Sequence, residues 1–207
     1  MKAEDVKRFH VDYWTKSLQR HGDTPGAVGQ SHGSQAKRFE KILEIGSWPG
    51  RSVLDIGCGL GDFYDFLRAK NRRVEYTGFD VTPGMVDAAR RKHPHASHRF
   101  EVADILTESI RGTYDYVISV GALNLPLEGQ NVEIMLELIE KMYVLCSIGI
   151  AVSMTSSLTK KPQPDTYYYR PSIIVDRIGA FCQNFRLDHT FLPHDFILFC
   201  YKKSLYS

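Results

Sequence analysis

The stretch Val53-Leu54-Asp55-Ile56-Gly57-Cys58-Gly59-Leu60-Gly61-Asp62 constrains this chain more than any other. An apolar run passes through three alternating glycines into Phe63, Phe66 and Leu67, which recur at helical spacing. That is a strand turning sharply into a helix, with a backbone open enough for close approach of a ligand. Such turns belong to parallel sheets whose strands are joined by crossover helices, and the rest of the chain keeps this alternation.

The first strand is expected over 52–57 and its helix over 62–70, with a second strand over 74–80. Pro83 opens the next helix, which carries Met85, Val86 and Ala89 on one stripe and closes on Arg90-Arg91-Lys92, a basic triplet suited to the negative end of the helix dipole. A weaker third strand follows over 98–103 and a strongly apolar fourth over 114–120. Residues 131–145 form a helix through Ile134, Leu138, Ile139 and Met142, and 146–154 a fifth strand. The polar 155–170 segment is a long loop, and Pro171 opens a helix to about 183. Two strand patterns, 186–192 and 196–203, are separated only by Pro193-His194-Asp195, so they form a hairpin and the last strand runs antiparallel to its neighbour. Ahead of the sheet, 34–45 is a helix candidate with Phe39, Ile42 and Leu43, and 23–33 is loop.

With 207 residues, 43% hydrophobic and 24% charged, the chain suits one globular domain, and a net charge of +2 advertises neither a nucleic-acid nor a membrane partner. No run approaches the roughly 20 apolar residues of a membrane helix, and residues 1–8 lack the apolar stretch of a secretory signal. A cytoplasmic protein is expected. Cys58, Cys146, Cys182 and Cys200 are far apart, form no C-x-x-C pair and sit in apolar segments, as reduced core thiols do. Their convergence into a disulfide or zinc site stays open on spacing alone.

Chemistry concentrates at the strand ends. Asp55 closes the first strand, where a carboxylate can accept a hydrogen bond from an amine. Asp80 closes the second, 19 residues after Gly61, where it can take both hydroxyls of a ribose. Asp104 follows the third. Together they line one edge of an open sheet, where ligands of such folds bind; singly, Asp80 and Asp104 also read as caps of the turns behind them. A dinucleotide enzyme would show G-x-G-x-x-G, whereas this turn is G-x-G-x-G-x, and the final hairpin fits poorly with an all-parallel sheet.

Asp55-x-Gly57-x-Gly59-x-Gly61 resembles the first motif of class I S-adenosylmethionine-dependent methyltransferases, and the resemblance extends over 52–203. It implies a single α/β domain: a Rossmann-like, doubly wound seven-stranded sheet in the order 3-2-1-4-5-7-6, last strand antiparallel. The expected division is an N-terminal helical lid over 1–46 and a cofactor-binding sheet core over 47–207. The implied cofactor is S-adenosylmethionine, with no metal. By position, Asp55 and the turn of Gly57, Gly59 and Gly61 would hold its methionyl part and Asp80 its ribose. Val81 and Met85 would pack beside the adenosine, Asp104 and Ile105 would meet the adenine, and Val120 would lie under the sulfonium. Tyr13-Trp14-x-Lys16, 21–26 and Gln35-x-x-Arg38-Phe39 look like the N-terminal segment of a group of small, mostly uncharacterised bacterial methyltransferases. There Tyr13 and Arg38 would touch the cofactor's carboxylate, although Arg38 equally reads as a solvated helix residue.

The stretch 119–127 has Asn124 and Pro126 but lacks the aromatic that holds a base in nucleic-acid amine methyltransferases, and no basic tract interleaves with aromatics. Cys146, in an apolar strand, does not suit a nucleophile of the RNA C5-methylating kind. The expected acceptor is a small molecule, and the expected reaction is methyl transfer to its oxygen or nitrogen. Asn124, Tyr168 and Arg170 are the candidates to bind it, suiting an anionic or aromatic acceptor, although the run Tyr167-Tyr168-Tyr169 also reads as packing. A base is needed only for a hydroxyl or ammonium acceptor; the candidates are His32 and the pair His194 and Asp195, which also read as surface or turn residues. His93, His95 and His98 crowd one exposed connection too closely for a metal site. Two alternatives stand beside this reading: an RNA or protein methyltransferase, and a cofactor-binding scaffold without turnover.

Overall fold

The computed structural model describes residues 3–29 and 32–204. Helix α1 (Ala3–His21), a 3-10 turn (Pro25–Val28) and helix α2 (His32–Ile42) precede the sheet. Strands β1 (Arg51–Ile56), β2 (Val74–Asp80), β3 (Phe100–Val102), β4 (Tyr114–Val120) and β5 (Cys146–Thr155) alternate with helices α3 (Asp62–Ala69), α4 (Pro83–Lys92) and α5 (Asn131–Leu145). Helix α6 (Pro171–Ile178) leads into the hairpin β6 (Phe185–Leu192) and β7 (Asp195–Tyr201). The order is β3-β2-β1-β4-β5-β7-β6, with β7 antiparallel to both neighbours and the other pairings parallel.

The central strands are buried on both faces, and beyond a register shift between Tyr114 and Tyr116 in the β4–β5 pairing their side chains sort by parity. Leu54, Val117, Ile150, Val152 and Leu198 meet α5 and α6 on one face. Val53, Ile118, Ala151, Ile197 and Phe199 meet α2, α3 and α4 on the other. A one-residue slip of any strand would exchange the two sets, so register is set by the core itself.

Three elements differ from the sequence expectation. Strand β3 has only three residues, because Pro94 opens a 3-10 segment over Pro94–Arg99 that uses up the start of the run. Helix α6 stops at Ile178 before Gly179, a poor helix former, rather than near 183. The loop over 23–33 contains the 3-10 turn, with Gly29 closing it in the left-handed region at φ 66°, and α2 begins at His32.

Helix α2 is fastened to the hairpin by charge. Arg38 donates from Nε and Nη2 to Asp195 Oδ2 at 2.7 and 2.6 Å, and Lys41 Nζ lies 3.1 Å from Asp188 Oδ2. Both Arg38 and Asp195 are buried, so removing one partner strands the other's charge. Arg38→Met is expected to lower the urea unfolding free energy by about 3–5 kcal/mol, and adding Asp195→Leu to recover most of the loss. Equal instability of the single and double variants would show that α2 is held by its apolar face instead.

Candidate active site

The turn after β1 is built for close approach. Gly57, Gly59 and Gly61 have φ of 74°, 52° and 76°, in the left-handed region that other residues avoid. A Cβ on Gly59 would lie 2.8 Å from Val28 Cγ1, and one on Gly57 would lie 2.8 Å from Ala122 Cβ. The turn is tied to the end of β2, since the N–H groups of Gly57 and Cys58 both donate to the Phe79 carbonyl at 2.8 and 3.0 Å.

Asp80 completes the tie. Its Oδ2 accepts from the Gly59 N–H at 2.9 Å and its Oδ1 from the Thr82 N–H at 2.8 Å. Burial pushes its carboxyl up, against the pull of these bonds. Asp104 caps its own turn, accepting from the Leu106 N–H at 2.9 Å and the Thr107 hydroxyl at 3.0 Å. Each carboxylate therefore does act as a cap, and each oxygen so engaged keeps a second lone pair. Asp55 accepts the Tyr76 hydroxyl at 2.7 Å. Burial pushes its carboxyl up to about 7, with Tyr76 opposing the rise and Asp80 and Asp62 adding to it.

These groups open on one cleft at the carboxyl ends of the strands, enclosing about 1070 Å³ of empty space, its solvent mouth included. Of the residues singled out in the sequence, Asp55, Gly57, Gly59, Asp80 and Val81 line it, as do Met85, Asp104, Ile105 and Val120. Gly61 stands just behind, capping α3 against Phe100.

The remaining candidates lie outside the cleft lining. Tyr13 is 38% exposed and packs edge-on against Trp14, which lines the cleft in its place. Arg38 and Asp195 are engaged with each other, and His194, at the hairpin turn with its side chain 40% exposed, has Nε2 3.8 Å from Asp195 Oδ2. Asn124 accepts the Thr155 hydroxyl at 3.2 Å through its side chain and the Tyr167 N–H at 2.8 Å through its carbonyl. The Tyr168 hydroxyl accepts from the Gln163 N–H within its own loop, and Arg170 is exposed ahead of α6. Buried Tyr169 donates to the Leu123 carbonyl and packs on Tyr167, so this run braces the loop after β4. The His32 side chain lies outside the described residues. His93 stacks on Phe100, and among the described residues no three His, Cys, Asp or Glu side chains converge as metal ligands would. The four cysteines are free and buried.

Within the segment expected as a lid over 1–46, the structure adds lining residues that the sequence reading did not assign. Val6, Lys7, His10 and Trp14 of α1 reach the cleft, as do Gln35 and Phe39 of α2. Val6, His10 and Trp14 recur every four residues, a single helix face visible in the sequence. Nothing in that spacing says which sheet edge the face covers.

A sheet of this order, with a glycine turn after β1 and acids at or just beyond the ends of β1, β2 and β3, is the fold of the class I S-adenosylmethionine-dependent methyltransferases. Residues 54–147 match a family model described as a methyltransferase domain. The malonyl-[acyl-carrier protein] O-methyltransferase of Serratia marcescens is 42% identical over 67 residues, 32% of this chain and 25% of that enzyme. Putative methyltransferase Rv1506c of Mycobacterium tuberculosis is 27% identical over 153 residues, 72% of this chain and 88% of that protein. The chain spans less than half the length of the malonyl-carrier-protein and phosphoethanolamine methyltransferases it matches. Magnesium protoporphyrin IX methyltransferase from Synechocystis PCC 6803, solved with bound S-adenosylmethionine, superposes with a TM-score of 0.69 at 20% identity, covering 95% of this chain and 97% of its own.

Gly59→Ala is expected to lower stability by about 1–2 kcal/mol from the left-handed backbone alone, and further through the Val28 contact. Urea denaturation measures it, and an unchanged midpoint would mean that the turn relaxes to an ordinary φ.

Proposed function

We propose that this chain binds S-adenosylmethionine and transfers its methyl group to an oxygen or nitrogen of a small-molecule acceptor. The observation that carries the reading is the convergence of Asp55, Asp80 and Asp104 on one cleft, which the Gly57 to Gly59 backbone also lines. The donor set fits the cofactor: Asp80 has lone pairs left for ribose hydroxyls, Asp104 for an exocyclic amine, and Asp55 is a carboxylate for an ammonium. In this reading Met85 and Val81 flank the adenosine, and the methionyl part lies along the Gly57 to Gly61 turn.

The sulfonium supplies a methyl group that is already activated, so the chain's task is alignment and exclusion of water. Val120, Ala122, Leu123 and Phe39 give the cleft an apolar wall, and α1 and α2 roof it. A roofed cleft suits a small acceptor, and the names of the malonyl-carrier-protein and phosphoethanolamine methyltransferases describe acceptors of that scale at the reacting group. His194, partly exposed beside Asp195, is the assigned base when the acceptor begins as a hydroxyl or ammonium. His32 is the second candidate for that role. Tyr13 and Arg38 stay assigned to the cofactor's carboxylate end, and Asn124, Tyr168 and Arg170 to the acceptor side, which closure of the lid would have to bring into reach.

Calorimetric titration with S-adenosylmethionine and S-adenosylhomocysteine, with NAD as control, tests the reading. Saturable binding of the two sulfur nucleosides alone is expected, weakened roughly 10- to 100-fold in Asp80→Asn, since a hydrogen bond to a charged group is worth about 1.5–3 kcal/mol. Binding of NAD in preference, or unchanged affinity in the folded variant, would refute it. The Asp55 carboxyl, held up to about 7, adds a pH signature. An ammonium beside it favours the ionised form, so binding releases a proton at neutral pH and tightens as pH rises from 6 to 8. The ligand-free fold moves oppositely: the raised carboxyl stabilises it below the ordinary range near pH 4, and that contribution is lost as pH rises through 7. Asp55→Asn is expected to flatten both dependences; persistence of either in the variant would assign it to another group.

A further inference from the structure

The α1 wall of the cleft holds a polar atom with no partner among the described residues. His10 is 4% exposed and lines the cleft together with Asp104, Ile105 and Leu106. Its Nδ1 lies 2.9 Å from the Val6 carbonyl oxygen. A carbonyl only accepts, so Nδ1 carries the proton and Nε2 of the neutral ring presents a lone pair. That Nε2 is sealed from solvent and has no hydrogen-bond partner among the described residues. Burial, which favours the neutral form, holds the imidazole below its ordinary range against the opposing pull of the Val6 bond and of Asp104.

The ring is set in place from several sides. The Val6 bond orients it, Phe9 packs edge-on with ring centres 5.7 Å apart, and Lys7 of the same helix turn pairs with Glu108 at 3.1 Å. Glu108 also accepts from the Asp104 N–H at 3.3 Å, so α1 is anchored on the turn that displays Asp104. Two acceptors, the Asp104 carboxylate and His10 Nε2, thus share one end of the cleft, and Lys7, the cation there, is engaged by Glu108.

We infer that His10 is a specificity residue for the purine base, its Nε2 accepting a hydrogen bond from an exocyclic 6-amino group that Asp104 holds from the other side. The inference rests on the cofactor reading above and deepens it. An amino group brings two N–H donors to two acceptors. A 6-keto group sets an acceptor against both and leaves the buried His10 Nε2 without a donor, an arrangement that rejects an analogue strongly.

The test is calorimetric titration of wild-type protein, His10→Phe and His10→Gln with S-adenosylhomocysteine and its 6-keto analogue, S-inosylhomocysteine. Wild-type protein is expected to prefer the amino compound at least 100-fold. His10→Phe keeps a ring but no lone pair and should cut the preference about tenfold, by weakening the amino compound alone; His10→Gln, whose amide oxygen accepts, should restore part of it. A wild-type protein that binds S-adenosylhomocysteine without preference, or a folded His10→Phe with undiminished preference, overturns the inference and leaves the cofactor reading standing. Failure of wild-type protein to bind either compound overturns both. Should His10→Phe not fold, the imidazole 15N resonances of wild-type protein decide: Nε2 should shift on addition of the amino compound, and an unmoved resonance at saturation overturns the inference.

Discussion

The structure depends on the Asp80 clip. Two backbone N–H groups, from Gly59 and Thr82, converge on one buried carboxylate, while the Phe79 carbonyl beside it takes the N–H groups of Gly57 and Cys58. Four donors, three from the turn after β1 and one from the turn after β2, are satisfied at a single strand end, which meets the demand that buried backbone groups be paired. The clip sets the path from β1 into α3 and holds the left-handed glycines where they face the cleft. The structural role therefore resides in the side chain to which the proposal also gives ribose binding, and a substitution there is read correctly only when folding and binding are measured separately.

The two roof helices are attached differently. Helix α2 contributes Phe39 and Ile42 to the larger core and is joined to β7 by the buried Arg38–Asp195 pair, with Lys41 reaching Asp188 on β6. Helix α1 places Val6 in the core on the other face of the sheet and otherwise rests on a small apolar cluster of Ala27, Leu60, Met85 and Ala88, with Trp14, Leu18 and Val28 against it, plus the more exposed Lys7–Glu108 pair. Fewer buried apolar groups mean a lower free energy of local opening, so α1 is the part of the roof best placed to admit a ligand.

Much of the fold was legible because its signals are local. Strands β2 and β4 and helix α5 occur at the expected residues: strands buried on both faces require unbroken apolar runs, and Pro83 starts its helix as a proline at the first turn does. The short β3 and early end of α6 were misjudged where the apolar pattern continues past Pro94 and Gly179, whose backbone preferences interrupt it. That Asp55, Gly57, Gly59, Asp80, Val81, Asp104, Ile105 and Val120 line the cleft was legible for the same reason, since each lies within a few positions of a strand end that the pattern already marks; Tyr13 and Arg38, on α1 and α2, lie outside the lining.

By itself, then, the sequence determined the alternation of strands and helices, the glycine turn and the acids at the strand ends, all set by burial and backbone sterics within short windows. Tertiary structure decided which polar groups meet. Arg38 finds Asp195 across 157 residues, the tyrosine run turns inward to brace the loop after β4, and α1 brings His10 to the same end of the cleft as Asp104. A charge or an imidazole is compatible with water, with an ion pair or with a ligand. Which of these it takes depends on what packing brings beside it, a property of the whole core that no local spacing encodes.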